Sequence, residues 1–184
     1  MFKNALLSST ALVLVMAALV LSSTRLAMAA DAGLNANARA ALKNLYQTSP
    51  AAKMVSEKAV AVLVFPKIVK AGLMVGGQYG KGVLFRNGKV VAHYNSVSAS
   101  YGLQAGVQKF GYALFFLTES AVNYLDKSGG WEIGVGPSIV VVDTGTARTM
   151  TSTTLKADIY AFIFSQKGLM AGIGLQGTKI TKIK

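Results

Sequence analysis

The chain contains no cysteine. Disulfides, thiolate metal sites and a lipid-modified N-terminal cysteine are therefore excluded, and an exported domain must be held by its core alone. Histidine is nearly as scarce. His93 is the only one, so no zinc site of histidines and cysteines can be assembled. A serine–histidine–acid triad would have to pass through His93, and no serine stands in Gly-x-Ser-x-Gly. His93 alternates with Val91 and Asn95, the pattern of a strand side chain half out of the core. Acids are few too: seven Asp and Glu against nineteen Lys and Arg, a formal net charge of +12. They are scattered, which leaves no local carboxylate pair for acid–base chemistry. No enzyme, no catalytic residue, no metal and no cofactor are expected.

Long apolar runs are also missing after the first. Ala11–Leu21 is unbroken, follows Lys3, and precedes Ala27-Met28-Ala29. A charged start, a short apolar run and a small-x-small site make an export signal over residues 1–29. The run falls short of the roughly 20 residues a comfortable transmembrane helix needs. The expectation is an exported protein, periplasmic or secreted, with one domain over 30–184; the alternative is that the segment is kept as an anchor.

Glycine, by contrast, is abundant and patterned. Gly-Leu-x-x-Gly occurs at Gly72 and Gly76, at Gly102 and Gly106, and at Gly168 and Gly172. On extended chain, where side chains alternate faces, each copy has a bare glycine face and a bulkier apolar one. Repeated strand glycines mark tight bends, bulges or close backbone approach. These six are read as architecture, and a glycine floor for a ligand is the sharper alternative. Gly76-Gly77-Gln78-Tyr79-Gly80-Lys81 is not a phosphate loop: its spacing is one short, Gly82 follows the lysine, and no helix opens there.

Around these copies the chain reads as a helical lead over 35–58 and a β-rich body over 59–184. Asn35–Gln47 has helical periodicity, and Ser49-Pro50 restarts a helix as N-cap and first residue, running to about Lys58. Ala59–Phe65 is a continuous apolar strand that Pro66 should end. Asn87-Gly88 is a hairpin turn joining the strands on either side. Ser96–Gln108 and Tyr112–Leu117 follow as strands, then a short helix over Glu119–Lys127 capped by Thr118. Trp131–Val142 is a strand broken by Gly134, Gly136 and Pro137; Asp143–Thr153 is a polar loop. Leu155–Ser165 and Leu169–Lys182 are the last strands. The fold class is β-rich α+β: an antiparallel, strongly coiled sheet or small barrel with N-terminal helices and one short internal helix.

The positive charge is uneven. Lys53, Lys58, Lys67, Lys70, Lys81, Arg86, Lys89 and Lys109 share their stretch with Glu57 alone, whereas Glu119–Asp158 is acidic on balance. Such asymmetry points to an anionic partner. Lysines outnumber arginines, which suits a diffuse anionic surface better than bidentate phosphate recognition. Among the aromatics, Tyr79 beside Lys81 and Phe110 beside Lys109 are the interfacial candidates.

Several of these segments resemble one family. Ala-Val-Leu-Val-Phe-Pro (61–66), Lys-Ala-Gly-Leu-Met-Val-Gly-Gly-Gln-Tyr-Gly-Lys-Gly (70–82), Ser-Tyr-Gly-Leu-Gln-Ala-Gly (100–106), Phe-Phe-Leu-Thr (115–118) and Lys-Gly-Leu-Met-Ala-Gly-Ile-Gly-Leu-Gln-Gly (167–177) resemble the SYLF lipid-binding domain. The likeness spans about 35–184 in the expected order, and the exported, stand-alone form looks like the bacterial branch. It implies a non-enzymatic lipid binder; eukaryotic relatives bind phosphoinositides and, in fungi, actin. Family lipid binding is attributed to basic residues and an amphipathic segment near the domain start, which match Arg39, Lys43, Lys53 and Lys58, then Lys67 and Lys70. The N-terminal helix here is alanine-rich, a departure that argues against deep insertion by that helix. The charge pattern adds Lys81, Arg86 and Lys89 to the candidate lipid-binding set. The expected partner is an anionic lipid or membrane surface. Nucleic acid is not expected, since it fits the charge but not the export signal. A protein partner is left open, and actin is not expected of an exported bacterial protein. The alternative class is a structural envelope protein contacting acidic polymers or a protein partner.

Overall fold

The computed structural model describes residues 29–127, 129–142, 144–167 and 174–183. The expected leader over 1–29 lies almost wholly outside them, as do Gly168 and Gly172. The chain falls into two compact units, residues 1–36 and 37–184. Of the first, the described residues 29–36 are helical and mostly exposed. Everything below concerns the second.

It opens with the helical residues up to 48, the latter part of α1 (29–48), which bury Ala38 and Leu45. Ser49 then caps α2 (Pro50–Ser56): its side chain accepts a hydrogen bond from the Ala52 amide, and proline holds the first helical position. Two long strands follow, β1 (Ala61–Arg86) and β2 (Lys89–Phe116). Asn87 and Gly88 join them with φ of 48° and 72°, the left-handed pair that a two-residue hairpin requires. After β2 come α3 (Glu119–Asn123), capped by Thr118 as expected, a 3-10 turn (Tyr124–Asp126), β3 (Trp131–Glu132), β4 (Ile139–Val142), α4 (Thr144–Thr149), β5 (Ile159–Lys167) and β6 (Lys179–Lys182).

Segments expected as separate strands are thus the halves of two continuous ones. Pro66 does not end its strand. It sits in a register shift between Phe65 and Ile68 of β1, which among the described residues pairs only with β2. At an open edge the missing proline N–H removes no ladder bond, so the strand continues through it. The sheet runs β3-β6-β2-β5-β4, with β1 also on β2, so β2 carries β1 along one edge and β5 and β6 along the other. Its pairs are antiparallel except β4 with β5, which is parallel, a correction to the antiparallel expectation. The connection between those two strands is long enough for the crossover that parallel pairing needs. Part of it, expected as loop, is the helix α4. The expected strand over 131–142 is interrupted by Gly134 and Gly136, with φ of 104° and 93°, which turn the chain between β3 and β4.

The hairpin of β1 and β2 is bent back on itself. A Cβ on Gly82 would lie 2.6 Å from the Phe65 ring, and one on Gly80 would lie 2.5 Å from Ile68 Cδ1. These are residues of the same strand, so its two halves face each other with no room for a side chain between them. Likewise Tyr112 donates a 2.7 Å hydrogen bond to Ser96, its own strand-mate, in the buried interior. The result is a strongly curled half-barrel. The concave side holds the core: Phe65, Ile68, Tyr94, Phe110, Tyr112, Leu114, Phe116 and Trp131 all belong to one buried cluster. Phe110 is therefore a core residue and not the interfacial aromatic its neighbour Lys109 suggested.

At the bend the pairing is irregular. Leu73 pairs with Ala105 and Val75 with Tyr101, which leaves one residue of β1 against three of β2, Gly102 among them. A Cβ on Gly72 would lie 2.4 Å from the Gly76 Cα. Opposite Gly72 stands Gly106, with φ of 132°, a conformation that L side chains rarely adopt. Glycines thus sit where the strands turn sharply.

Candidate functional site

The clearest concavity with convergent cations lies where the turn of the folded hairpin comes beside the start of β1. α1 presents Arg39, Leu42, Lys43, Tyr46 and Gln47, spaced by three, four, seven and eight residues and so sharing one face. α2 contributes Lys53 and Ser56, with Glu57 just beyond it. The sheet contributes Val62 and Phe85, and the turn contributes Asn87 and Gly88. Together they line a groove of about 840 Å³, within the range of small-molecule sites.

Its floor is apolar, with Val62 and Phe85 almost fully buried. Arg39 is held at one end: its guanidinium lies 5.0 Å above the Phe85 ring and Nη1 donates 2.8 Å to the Gly88 carbonyl. That geometry fixes the cation over an aromatic face and leaves its other donors to meet an acceptor. Burial pushes the Tyr46 phenol above its ordinary pKa, against the opposing effect of its hydrogen bond with Ser56. Ser56 Oγ in turn donates 2.6 Å to the Lys53 carbonyl, closing the end of α2. Lys43 and Lys53 are exposed, and neither ammonium has an ion pair or side-chain hydrogen bond among the described residues. Glu57 is the one acid of the lining. An apolar trough with three cations and one anion at its walls is built to take a molecule with an apolar body and a negative head.

The comparison with protein families bears on residues 97–184, which match the family described as Ysc84, Las17-binding protein actin regulator. Over that span the chain is similar to the SYLF-domain family, in line with the resemblance read from its motifs. No curated protein gives a significant match. The matched span covers most of β2 and all that follows, whereas the groove is built from the residues before it.

The fold divides the cations singled out by sequence. Arg39, Lys43 and Lys53 come together in the groove. Lys58 lies outside it and donates 2.6 Å to the Ser152 carbonyl. Arg86 forms an exposed ion pair with Glu119. Lys89 is exposed across the ladder from Arg86, at the start of β2. Lys67 and Lys81 are exposed on the convex outer face of β1, while Lys70 is 92% buried, with a relative exposure of 8%. Charge counting did not find the floor residues Leu42, Tyr46, Val62 and Phe85. The helical spacing of Leu42 and Tyr46 beside Arg39 and Lys43 was the available signal for half of them. No group of three or more metal-ligating side chains occurs among the described residues, and no described helix is long and apolar enough to cross a membrane.

Proposed function

We propose that this SYLF-like domain is a non-enzymatic, peripheral binder of anionic phospholipid, exported to the periplasm or beyond, with the phosphate-bearing head group seated in the groove between α1, α2 and the hairpin turn. The observation that carries the reading is the pair of ammonium groups without a partner among the described residues, Lys43 and Lys53, beside the fixed Arg39 over an apolar floor. Similarity to a family whose relatives bind lipids or actin-related partners supports a binding role over an enzymatic one. In the wider family the head group is of the phosphoinositide type; here the required chemistry is an anionic phosphate next to acyl chains. A lysine near an anionic surface is worth about 1 kcal/mol, so a few converging cations suffice for reversible attachment.

The test is co-sedimentation with anionic and with zwitterionic vesicles at low and high salt. The parent should bind the anionic ones, less as salt rises. Lys43→Gln with Lys53→Gln should weaken that binding by roughly 30-fold if each lysine contributes ~1 kcal/mol. A folded double variant that binds as the parent does would overturn the groove. A second reading, a protein ligand for the same surface, is favoured by the family description as a Las17-binding protein. It predicts no preference among vesicles.

A further inference from the structure

The convex face of the bent hairpin carries a second surface. Along β1 the outward side chains start at Lys67, pass through Ala71, Val75 and Tyr79, and end at Lys81. The register sets Val107 across from Ala71, Val97 across from Tyr79, and Lys109 across from Val69. Val75, Tyr79, Val97 and Val107 are 60%, 50%, 46% and 56% exposed. Four large apolar side chains thus stand in water on the two strands at and on either side of the bend, and exposed apolar side chains gathered on one structural feature mark a docking surface. Lysines close it at both ends, and Lys109 faces Lys167 of β5 in the next ladder. No acid occurs between Glu57 and Glu119, so neither strand opposes that charge.

Apolar tips bracketed by ammonium groups complement an anionic bilayer, not an acidic polymer or a neutral protein face. Valines gain by leaving water, long lysine stems reach back to the head groups, and a tyrosine suits the boundary between them. We infer that the convex bend of the β1–β2 hairpin docks onto an anionic membrane, with Val75, Tyr79, Val97 and Val107 entering its interfacial layer and Lys67, Lys81 and Lys109 meeting the head groups. This rests on the lipid-binding reading and adds a second contact to it, at the opposite end of the folded hairpin from the groove.

The absence of cysteine makes a site-specific test clean. An environment-sensitive dye is attached to the full chain at Val75→Cys, Val107→Cys or, as a control, Val135→Cys, which is 59% exposed between β3 and β4. Each protein is mixed with vesicles of phosphatidylglycerol in phosphatidylcholine, or of phosphatidylcholine alone, and sedimentation is measured in parallel. Dye position is the readout because the apolar run at 11–21 can itself hold a chain to a vesicle. The expected result is brighter, blue-shifted emission at 75 and 107 with anionic vesicles, none at 135, and loss of the shift in Lys67→Gln/Lys81→Gln/Lys109→Gln. Without dye, Val75→Ser/Val107→Ser should bind anionic vesicles about tenfold more weakly. If the parent sediments with anionic vesicles while dyes at 75 and 107 stay in water, the bend is not the docking surface and the lipid-binding reading stands. If all three positions shift alike, the contact is non-specific and the inference is overturned. If the parent does not sediment with anionic vesicles at all, both fall.

Discussion

Replacing Gly82 by alanine would place a methyl carbon 2.6 Å from Cδ1, 2.7 Å from Cε1 and 2.9 Å from Cγ of Phe65. Ordinary van der Waals contact between carbons begins near 3.5 Å, so the ring would have to retreat by most of an ångström. It has nowhere to go. Phe65 is fully buried and stacks on Tyr112 with centroids 4.6 Å apart. Tyr112 is itself pinned by its hydrogen bond to Ser96. Pushing Phe65 therefore pushes the contact that holds the two halves of the hairpin together. Overpacking of this kind costs about 1–3 kcal/mol, which for a domain of this size is roughly 2–12 °C in Tm. Thermal unfolding of Gly82→Ala, Phe65→Leu and the double variant forms a cycle. Phe65→Leu opens space where the new methyl would sit, so the double variant should be more stable than the sum of the single losses predicts, by an amount of order 1 kcal/mol. A Gly82→Ala protein as stable as the parent would refute the close approach of the two strand halves. So would a cycle with strictly additive losses.

Three further outcomes test the interior and the strand junctions. Tyr112→Phe leaves the buried Ser96 hydroxyl without its donor and should cost ~1–3 kcal/mol by chemical denaturation. Burial also raises the pKa of Tyr112 above its ordinary 10.0, and that of Tyr94 to about 12. The unfolded chain therefore loses these protons first, and stability present below pH 10 should fall as pH rises above it; Tyr112→Phe should flatten that alkaline limb. At the other extreme, hydrogen bonds from the Ser138 side chain and amide hold the Asp158 carboxyl below its ordinary 3.8. Its contribution is present above that value and lost as pH falls through the lowered one, so the acid limb of a stability–pH curve should be shallower in Asp158→Asn.

Much of this molecule was legible in one dimension because its signals are local. Asn87-Gly88 could only be a tight hairpin turn, since both residues must accept positive φ. Ser49-Pro50 and Thr118 were caps because a short side-chain oxygen reaches the free amides of the first turn. The want of cysteine and the single histidine disposed of disulfides, thiolate metal sites and a zinc site of histidines and cysteines without any structure. The bunching of lysines and the thinness of acids named the sign of the partner's charge. What composition could not reveal was which cations meet. Arg39 and the Asn87-Gly88 turn are far apart in sequence, and only the docking of α1 against the end of the hairpin makes a groove of them. Lys58 and Arg86 looked equivalent to Lys43 and Lys53, yet a carbonyl and a carboxylate engage the first two, while the other two have no partner among the described residues. Pro66 should have ended a strand, and did not because its strand lies at an edge, a property of pairing and not of proline. The exposure of Val75 and Val107 was equally hidden: alternation says that neighbouring residues face opposite ways, but only the bend of the sheet decides which face is inside.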